Sequence, residues 1–167
     1  YLFFVFIMLI GCSSNPLSRS KTTEIDCPKI LFSNEDTLYF GSYTKPLNIE
    51  NISYQAELNN GQFLKGCKIV DNLFSSYLSI LFILSPLQEE QNQINLPYYV
   101  ATIDSNKNLK DIQYYSFNAK FNKNSDTKKF EETEIVEKIL LKISNWKDTK
   151  SIVLGFMLDE ERKKILN

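Results

Sequence analysis

Apolar and polar residues alternate along much of this chain with the period of two that is typical of β-strands. The clearest case is 52–58, where apolar residues alternate with Ser53, Gln55 and Glu57. A near-continuous apolar run, 76–85, is typical of a strand buried on both faces. The runs 96–103 and 112–121 flank the turn-forming sequence 104–108, so we predict a hairpin over 97–121.

Shorter signals complete the prediction of β structure in the first half of the chain. We expect brief strands at 30–32 and 38–40, and a strand at 63–70 that ends at Asp71. The sequence Asn59-Asn60-Gly61 is rich in residues that tolerate positive φ, so we predict a turn there.

The C-terminal part carries one ambiguous segment. In 130–143 the isoleucines fit either a helix or a strand, and the surrounding β pattern favours a strand. Trp146 follows in a turn, and 151–158 is predicted as a last strand. Asp159 is placed to cap a short helix, with Glu160 favourable in its first turn. About seven strands in a small chain predict an all-β fold, an antiparallel β-sandwich that is immunoglobulin-like in the loose sense, with a small open barrel as the alternative.

The N-terminal segment has a different pattern. Residues 2–10 are uninterruptedly apolar, too short for a bilayer core of about 30 Å but suited to a secretory signal peptide. Because Tyr1 is not Met, we expect the basic start of that signal to lie upstream. We therefore predict a signal peptide at 1–11, a flexible polar tether at 12–24 and one domain at 25–167.

The end of this apolar run, Leu9-Ile10-Gly11-Cys12, resembles a bacterial lipobox. The resemblance implies attachment of a diacylglycerol group and a further acyl chain such as palmitate at Cys12. Two or more acyl chains hold a protein stably on a membrane. In such lipoproteins an aspartate after the cysteine favours the inner membrane, so Ser13 favours the outer one. An ordinary signal peptide and a buried helix remain alternatives.

Charge and composition exclude several classes of function. The 167 residues carry a net charge of −1 with a pI near 5.6, which gives no electrostatic basis for binding nucleic acid. The chain contains no histidine, which excludes catalytic triads of the Ser-His-Asp and Cys-His types. We predict no cofactor, no metal site and no catalytic residues.

Two cysteines remain besides Cys12. In an oxidising periplasm a disulfide between Cys27 and Cys67 is the default, and two buried free thiols are the alternative. Such a link would restrict the unfolded chain by about 4 kcal/mol in the entropy model.

Two kinds of residue are candidates for function. The acidic clusters Glu89-Glu90 and Asp159-Glu160-Glu161 are sufficiently explained by a solvated loop and a helix start.

The candidates for partner binding are two pairs of adjacent tyrosines, Tyr98 with Tyr99 and Tyr114 with Tyr115. Adjacent strand residues point to opposite faces, so one tyrosine of each pair faces outward. Two outward tyrosines on neighbouring strands would form a binding patch.

Several short motifs together resemble a family of small periplasm-facing lipoproteins of Gram-negative bacteria, whose function is unassigned. They are Cys12, Cys27-Pro28, the 52–57 strand, Cys67, Leu96-Pro97-Tyr98-Tyr99-Val100-Ala101 and Leu154-Gly155-Phe156. The resemblance supports the disulfide and the β fold and implies no activity. We expect a non-enzymatic envelope protein that binds or scaffolds another envelope protein. The alternative is a peptidoglycan-directed hydrolase or hydrolase inhibitor, for which Glu89, Glu90 and Asp71 are the carboxylates to test; a small-ligand carrier is a third possibility.

Overall fold

The computed structural model describes residues 21–89 and 93–166, and more than half of these residues are in β-strands. They form eleven strands, two short 3-10 helices (Ile49–Asn51 and Trp146–Asp148) and one C-terminal α-helix, α1 (Glu160–Leu166). The strands are β1 (Thr22–Ile25), β2 (Lys29–Phe32), β3 (Leu38–Gly41), β4 (Tyr54–Val70), β5 (Leu73–Pro86), β6 (Ile94–Ile103), β7 (Leu109–Ala119), β8 (Asn122–Lys123), β9 (Phe130–Glu131), β10 (Thr133–Ile143) and β11 (Ser151–Phe156).

The strands form two main sheets, which we call sheet A and sheet B. Sheet A has the order β1-β4-β5-β10, and β3 also pairs with β4, at the opposite end of that long strand from β1. Sheet B has the order β2-β11-β6-β7, in which β2 runs parallel to β11 and the other pairs are antiparallel. Strands β8 and β9 form a small separate hairpin. The predicted all-β, sandwich-like fold is confirmed.

The inner faces of the two sheets meet in an aromatic core. Phe82 of β5 lies with its ring centroid 4.6 Å from that of Phe117 and 5.4 Å from that of Tyr98. It also contacts Phe156 of β11 at 5.8 Å. Tilted and edge-to-face contacts at these distances add to the hydrophobic stabilisation of the core. One sheet A residue thus touches three strands of sheet B.

A disulfide joins Cys27 and Cys67, as the sequence predicts, with an S–S distance of 2.05 Å. Cys67 is buried in β4, whereas Cys27 lies between β1 and β2, where the chain passes from sheet A to sheet B. The link therefore ties the crossover between the sheets to the longest strand.

The predicted turn at Asn59-Asn60-Gly61 is wrong. Strand β4 runs continuously through it and accommodates one extra residue as a bulge between Leu58 and Asn60. A Cβ atom at Gly61 would lie 3.1 Å from side-chain atoms of both Ile30 and Leu154 in sheet B. The glycine therefore serves close packing between the sheets. The reversal comes at Asp71 and Asn72, which both have positive φ.

The predicted tether extends too far toward the domain. Thr22–Ile25 is strand β1, paired with Val70–Cys67 of β4, so the folded part begins before residue 25. The backbone N–H of Lys21 also donates to Asp71 Oδ1 at 3.2 Å. The signal segment and Cys12 lie outside the described residues.

The predictions for the C-terminal part are confirmed. The ambiguous segment is strand over Thr133–Ile143, paired along its whole length with β5. Asp159 caps α1 by accepting a hydrogen bond from the N–H of Arg162 at 2.9 Å. Within the described part of the chain, no helix is long and apolar enough to cross a membrane.

Candidate binding surface

The four candidate tyrosines lie on two neighbouring strands of sheet B. In the β6–β7 ladder Tyr98 is directly opposite Tyr115, and Tyr99 is directly opposite Tyr114. Directly opposite residues share a face of the sheet. The strands thus place Tyr98 and Tyr115 on the inner face and Tyr99 and Tyr114 on the outer face.

The inner pair belongs to the core, so these two candidates do not form part of an exposed surface. Tyr98 is fully buried and stacks on Tyr115 with ring centroids 5.4 Å apart. Burial raises the pKa of the Tyr98 hydroxyl, which has no hydrogen-bond partner among the described residues. Tyr115 donates to Gln113 Oε1 at 2.8 Å, and Gln113 Nε2 donates to the carbonyl of Lys142 at 2.7 Å. Tyr115 thereby supports the contact between edge strands β7 and β10.

Tyr99 is held in one position on the outer face. Its hydroxyl donates to Asp36 Oδ2 at 2.7 Å, and the same oxygen accepts from Ser33 Oγ at 3.0 Å. A Cβ atom at Gly155, which is opposite Tyr99 in the ladder, would collide with the Tyr99 ring and hydroxyl. Burial is the main reason that the pKa of Tyr99 rises to about 12, so the hydroxyl keeps its proton as a donor at neutral pH.

Tyr114 is the most exposed of the four, with 62% of its surface accessible. Beside it, a row of four directly opposite apolar residues crosses all four strands of sheet B. The row and the two outer tyrosines form what we call the tyrosine face: Leu31, Val153, Ala101, Ile112, Tyr99 and Tyr114.

The tyrosine face is apolar and carries no formal charge of its own. Leu31 is 42% exposed at one side and Tyr114 projects at the other, while Ala101 between them is buried. Tyrosine combines an apolar ring with a hydroxyl that binds a partner's polar group, which explains its enrichment in interfaces. Such a surface suits a flat apolar partner surface or the face of a sugar ring.

The acidic candidates are not brought together. Asp71 precedes the 14-residue strand β5 and Glu89 follows it, so the strand rise separates them by roughly 40 Å. Glu89 is exposed, with Lys129 Nζ at 4.0 Å, and Glu90 lies outside the described residues. No pair formed by Asp71 and Glu89 is therefore placed for joint acid–base chemistry.

The carboxylates near α1 have structural partners. Asp159 caps the helix, and Glu161 Oε2 accepts from the backbone N–H of Leu47 at 3.2 Å. Glu160 is exposed, with Lys163 Nζ at 3.9 Å. Over 21–89 and 93–166, no group of three or more His, Cys, Asp or Glu residues is arranged to hold a metal ion.

The sequence pattern indicates the two outer tyrosines but not the residues that complete the face. Nothing local indicates that Leu31 and Val153 continue the row of Ile112, since β2 and β11 are far apart in sequence. Asp36 is 63 residues from Tyr99, and no motif links them.

Comparisons of the chain with protein-family models, with curated proteins and with solved structures find no match. The interpretation of the site therefore depends on its own geometry.

Proposed function

We propose that this chain is a non-enzymatic, lipid-anchored protein of the bacterial cell envelope that faces the periplasm and binds or scaffolds another envelope protein. The observation that carries the proposal is the tyrosine face, an uncharged apolar surface that crosses all four strands of sheet B.

The fixed position of Tyr99 in the tyrosine face supports a binding role. The hydrogen bond to Asp36 and the close approach of Gly155 fix Tyr99 before any partner arrives. Immobilising a side chain on binding costs about 0.5–1.5 kcal/mol, so a side chain that is already fixed loses less. Tyr114, in contrast, projects freely enough to enter a pocket on a partner.

The lipid anchor at Cys12 is the second part of the proposal, supported by the lipobox-like sequence at residues 9–12. Tethering two molecules to one membrane raises their effective concentration, so a modest binding surface is sufficient. Ser13 favours the outer membrane as the site of attachment.

The partner is tested by capture from gently solubilised envelopes, comparing the wild-type chain with Tyr114→Ser. The matched control is Val136→Ser, because Val136 is 53% exposed but lies in sheet A. We expect a stoichiometric protein that is lost with Tyr114→Ser and retained with Val136→Ser. Equal capture by both variants contradicts a role for the tyrosine face, and retention on cell-wall sacculi instead favours the peptidoglycan-directed alternative.

The anchor is tested by membrane fractionation of cells expressing Cys12→Ser, with Ser13→Ala as the control. We expect Cys12→Ser to move the protein to the soluble periplasmic fraction, because no acyl chain remains, while Ser13→Ala stays in the outer-membrane fraction. Continued membrane retention of Cys12→Ser contradicts the lipid anchor.

A further inference from the structure

A second apolar surface lies on the outer face of sheet A. Leu64 of β4, Tyr77 of β5 and Leu140 of β10 are directly opposite one another in the ladder. Tyr77 is 53% exposed, Leu140 is 42% exposed and Leu64 is half-buried, so the three side chains form one partly exposed apolar row. Together with their neighbours they line a groove of about 600 Å³.

Positive charge surrounds this row. Lys65, Lys68 and Lys142 line the same groove, all three are exposed, and none has a carboxylate within 4.0 Å among the described residues. We call the groove, with these lysines, the basic groove. Its one acidic lining residue is Asp71, and Glu24 of β1 is directly opposite Lys68 at the edge of the groove. Three lysines and these two carboxylates give a net charge of +1.

The sheet itself positions one of these lysines. The β4–β5 register shifts between Leu64 and Lys68, and Lys65 and Gly66 within this irregularity both have positive φ. The hydroxyl of Ser76, on the neighbouring strand β5, donates to the carbonyl of Gly66 at 2.7 Å and stabilises the irregularity. The following residue, Cys67, is held by the disulfide.

The chain enters the folded domain at the rim of the basic groove. The N–H of Lys21 donates to Asp71 Oδ1, and the N–H of Asp71 donates to the carbonyl of Lys21, each at 3.2 Å. Eight residues, 13–20, separate Lys21 from Cys12, so covalent geometry keeps these two residues within about 30 Å of each other, roughly the thickness of a bilayer core.

We propose that the basic groove docks on the anionic phospholipid surface to which Cys12 is attached. The inference rests on the proposed lipid anchor, which holds this end of the domain within reach of the headgroups. Each lysine near an anionic bilayer contributes about 1 kcal/mol, and the tyrosine and leucine side chains suit the boundary between headgroups and acyl chains.

The opposite face has less unpaired positive charge. The tyrosine face contains no lysine, although Lys29 lies beside it, two residues before Leu31 in β2. Lys110, in β7, is paired with Asp104 at 3.1 Å. The two outer faces of a sandwich point in opposite directions. Docking through the basic groove therefore leaves the tyrosine face directed away from the membrane. A second copy of the chain is a poorer occupant for the groove, because its own lysines would repel those of an identical groove.

The test uses the lipid-bearing full protein reconstituted in vesicles that contain phosphatidylglycerol and brominated phosphatidylethanolamine. Tyr77→Trp places a fluorophore in the basic groove, and Tyr114→Trp places one on the tyrosine face as the matched control. Trp146 is present in both and contributes a constant background. We expect bromine to lower the emission of the residue introduced at 77 at least twofold and to leave that at 114 unchanged.

Charge variants complete the design. Lys68→Gln with Lys142→Gln is expected to abolish the quenching at position 77, whereas Lys29→Gln with Lys150→Gln, on the side of sheet B, leaves it unchanged. Uncharged vesicles of brominated phosphatidylcholine are expected to give little quenching at position 77. Protein that floats with anionic vesicles but shows no quenching at position 77 overturns the docking proposal and leaves the anchor intact. Protein that does not float overturns both.

Discussion

The two outer faces of the sandwich are built alike but differ in charge and rigidity. Each presents a partly exposed tyrosine at an apolar row: Tyr114 lies beside the row in sheet B, and Tyr77 lies within the row in sheet A. Next to Tyr114, Asp36 and Gly155 fix a second tyrosine, Tyr99. Next to Tyr77, three lysines line the groove, and none of them has a carboxylate within 4.0 Å in the described part of the chain. Similar apolar rows thus become different surfaces through their neighbours.

The largest expected effect is that of Gly155→Ala on the tyrosine face. The added methyl group collides with the Tyr99 ring, which must leave its hydrogen bond to Asp36. We expect the free energy of unfolding, measured by urea denaturation, to fall by about 2–3 kcal/mol, in the upper part of the range of about 1–3 kcal/mol that is typical of overpacking.

A double-mutant cycle separates this collision from a general effect of replacing a strand glycine. In a Tyr99→Ala background the ring is absent, so we expect Gly155→Ala to have almost no effect on stability. Equal costs in both backgrounds would mean that the collision is not responsible.

A smaller effect is expected when only the Tyr99 hydroxyl is removed. Tyr99→Phe leaves the ring but deletes its hydrogen bond to a carboxylate, which we expect to cost about 1–2 kcal/mol. The matched control Tyr114→Phe alters an exposed hydroxyl and is expected to change stability by less than about 0.5 kcal/mol. Equal costs would show that Asp36 does not distinguish the two outer tyrosines.

The stability difference between Tyr99→Phe and the wild type is also expected to depend on pH. The pKa of Tyr99 is about 12 in the folded chain against an ordinary value of 10.0, so above pH 10 the unfolded chain loses this proton first. Its contribution to stability is therefore complete below pH 10 and is lost as the pH rises through 12. Urea titrations should show a shallower alkaline decline for Tyr99→Phe than for the wild type, and parallel declines would contradict this.

On sheet A, Gly66→Ala is expected to lower the free energy of unfolding less than Gly155→Ala does. Gly66 has φ +73°, but a Cβ atom there would meet no other atom within 4 Å. The cost is that of the left-handed backbone alone, about 1 kcal/mol by urea denaturation, and Gly66→Asn should recover part of it. A cost equal to that of Gly155→Ala would show that the two faces are packed equally tightly.

Much of the fold was predictable because it depends on local patterns. The 97–121 hairpin, the break at Asp71 and the cap at Asp159 each follow from alternation or from the conformational preferences of the residues present. The disulfide followed from there being two cysteines besides Cys12.

The failures have physical causes. Gly61 has the sequence environment of a turn, but it serves the close approach of Ile30 and Leu154, which lie far from it in sequence. Thr22–Ile25 has a largely polar sequence, yet an edge strand pairs through its backbone and needs no continuous apolar face. At the candidate site, alternation predicted one outward tyrosine in each pair. The contact of Tyr99 with Asp36 and the row that continues from Ile112 depend instead on the order of the strands in the sheet, which local patterns do not indicate.

The disulfide also determines how the domain resists mechanical force. A pull on the chain ahead of Lys21 acts first on strand β1, whose hydrogen bonds to β4 can be separated one after another from the free end. Only the six residues 21–26 can detach before the force reaches Cys27. There the disulfide to Cys67 transmits the force to β4, an inner strand of sheet A. Sheet B, with the tyrosine face, lies beyond that link. A load applied at this end is therefore borne by the disulfide and β4, and sheet B stays folded while β1 yields.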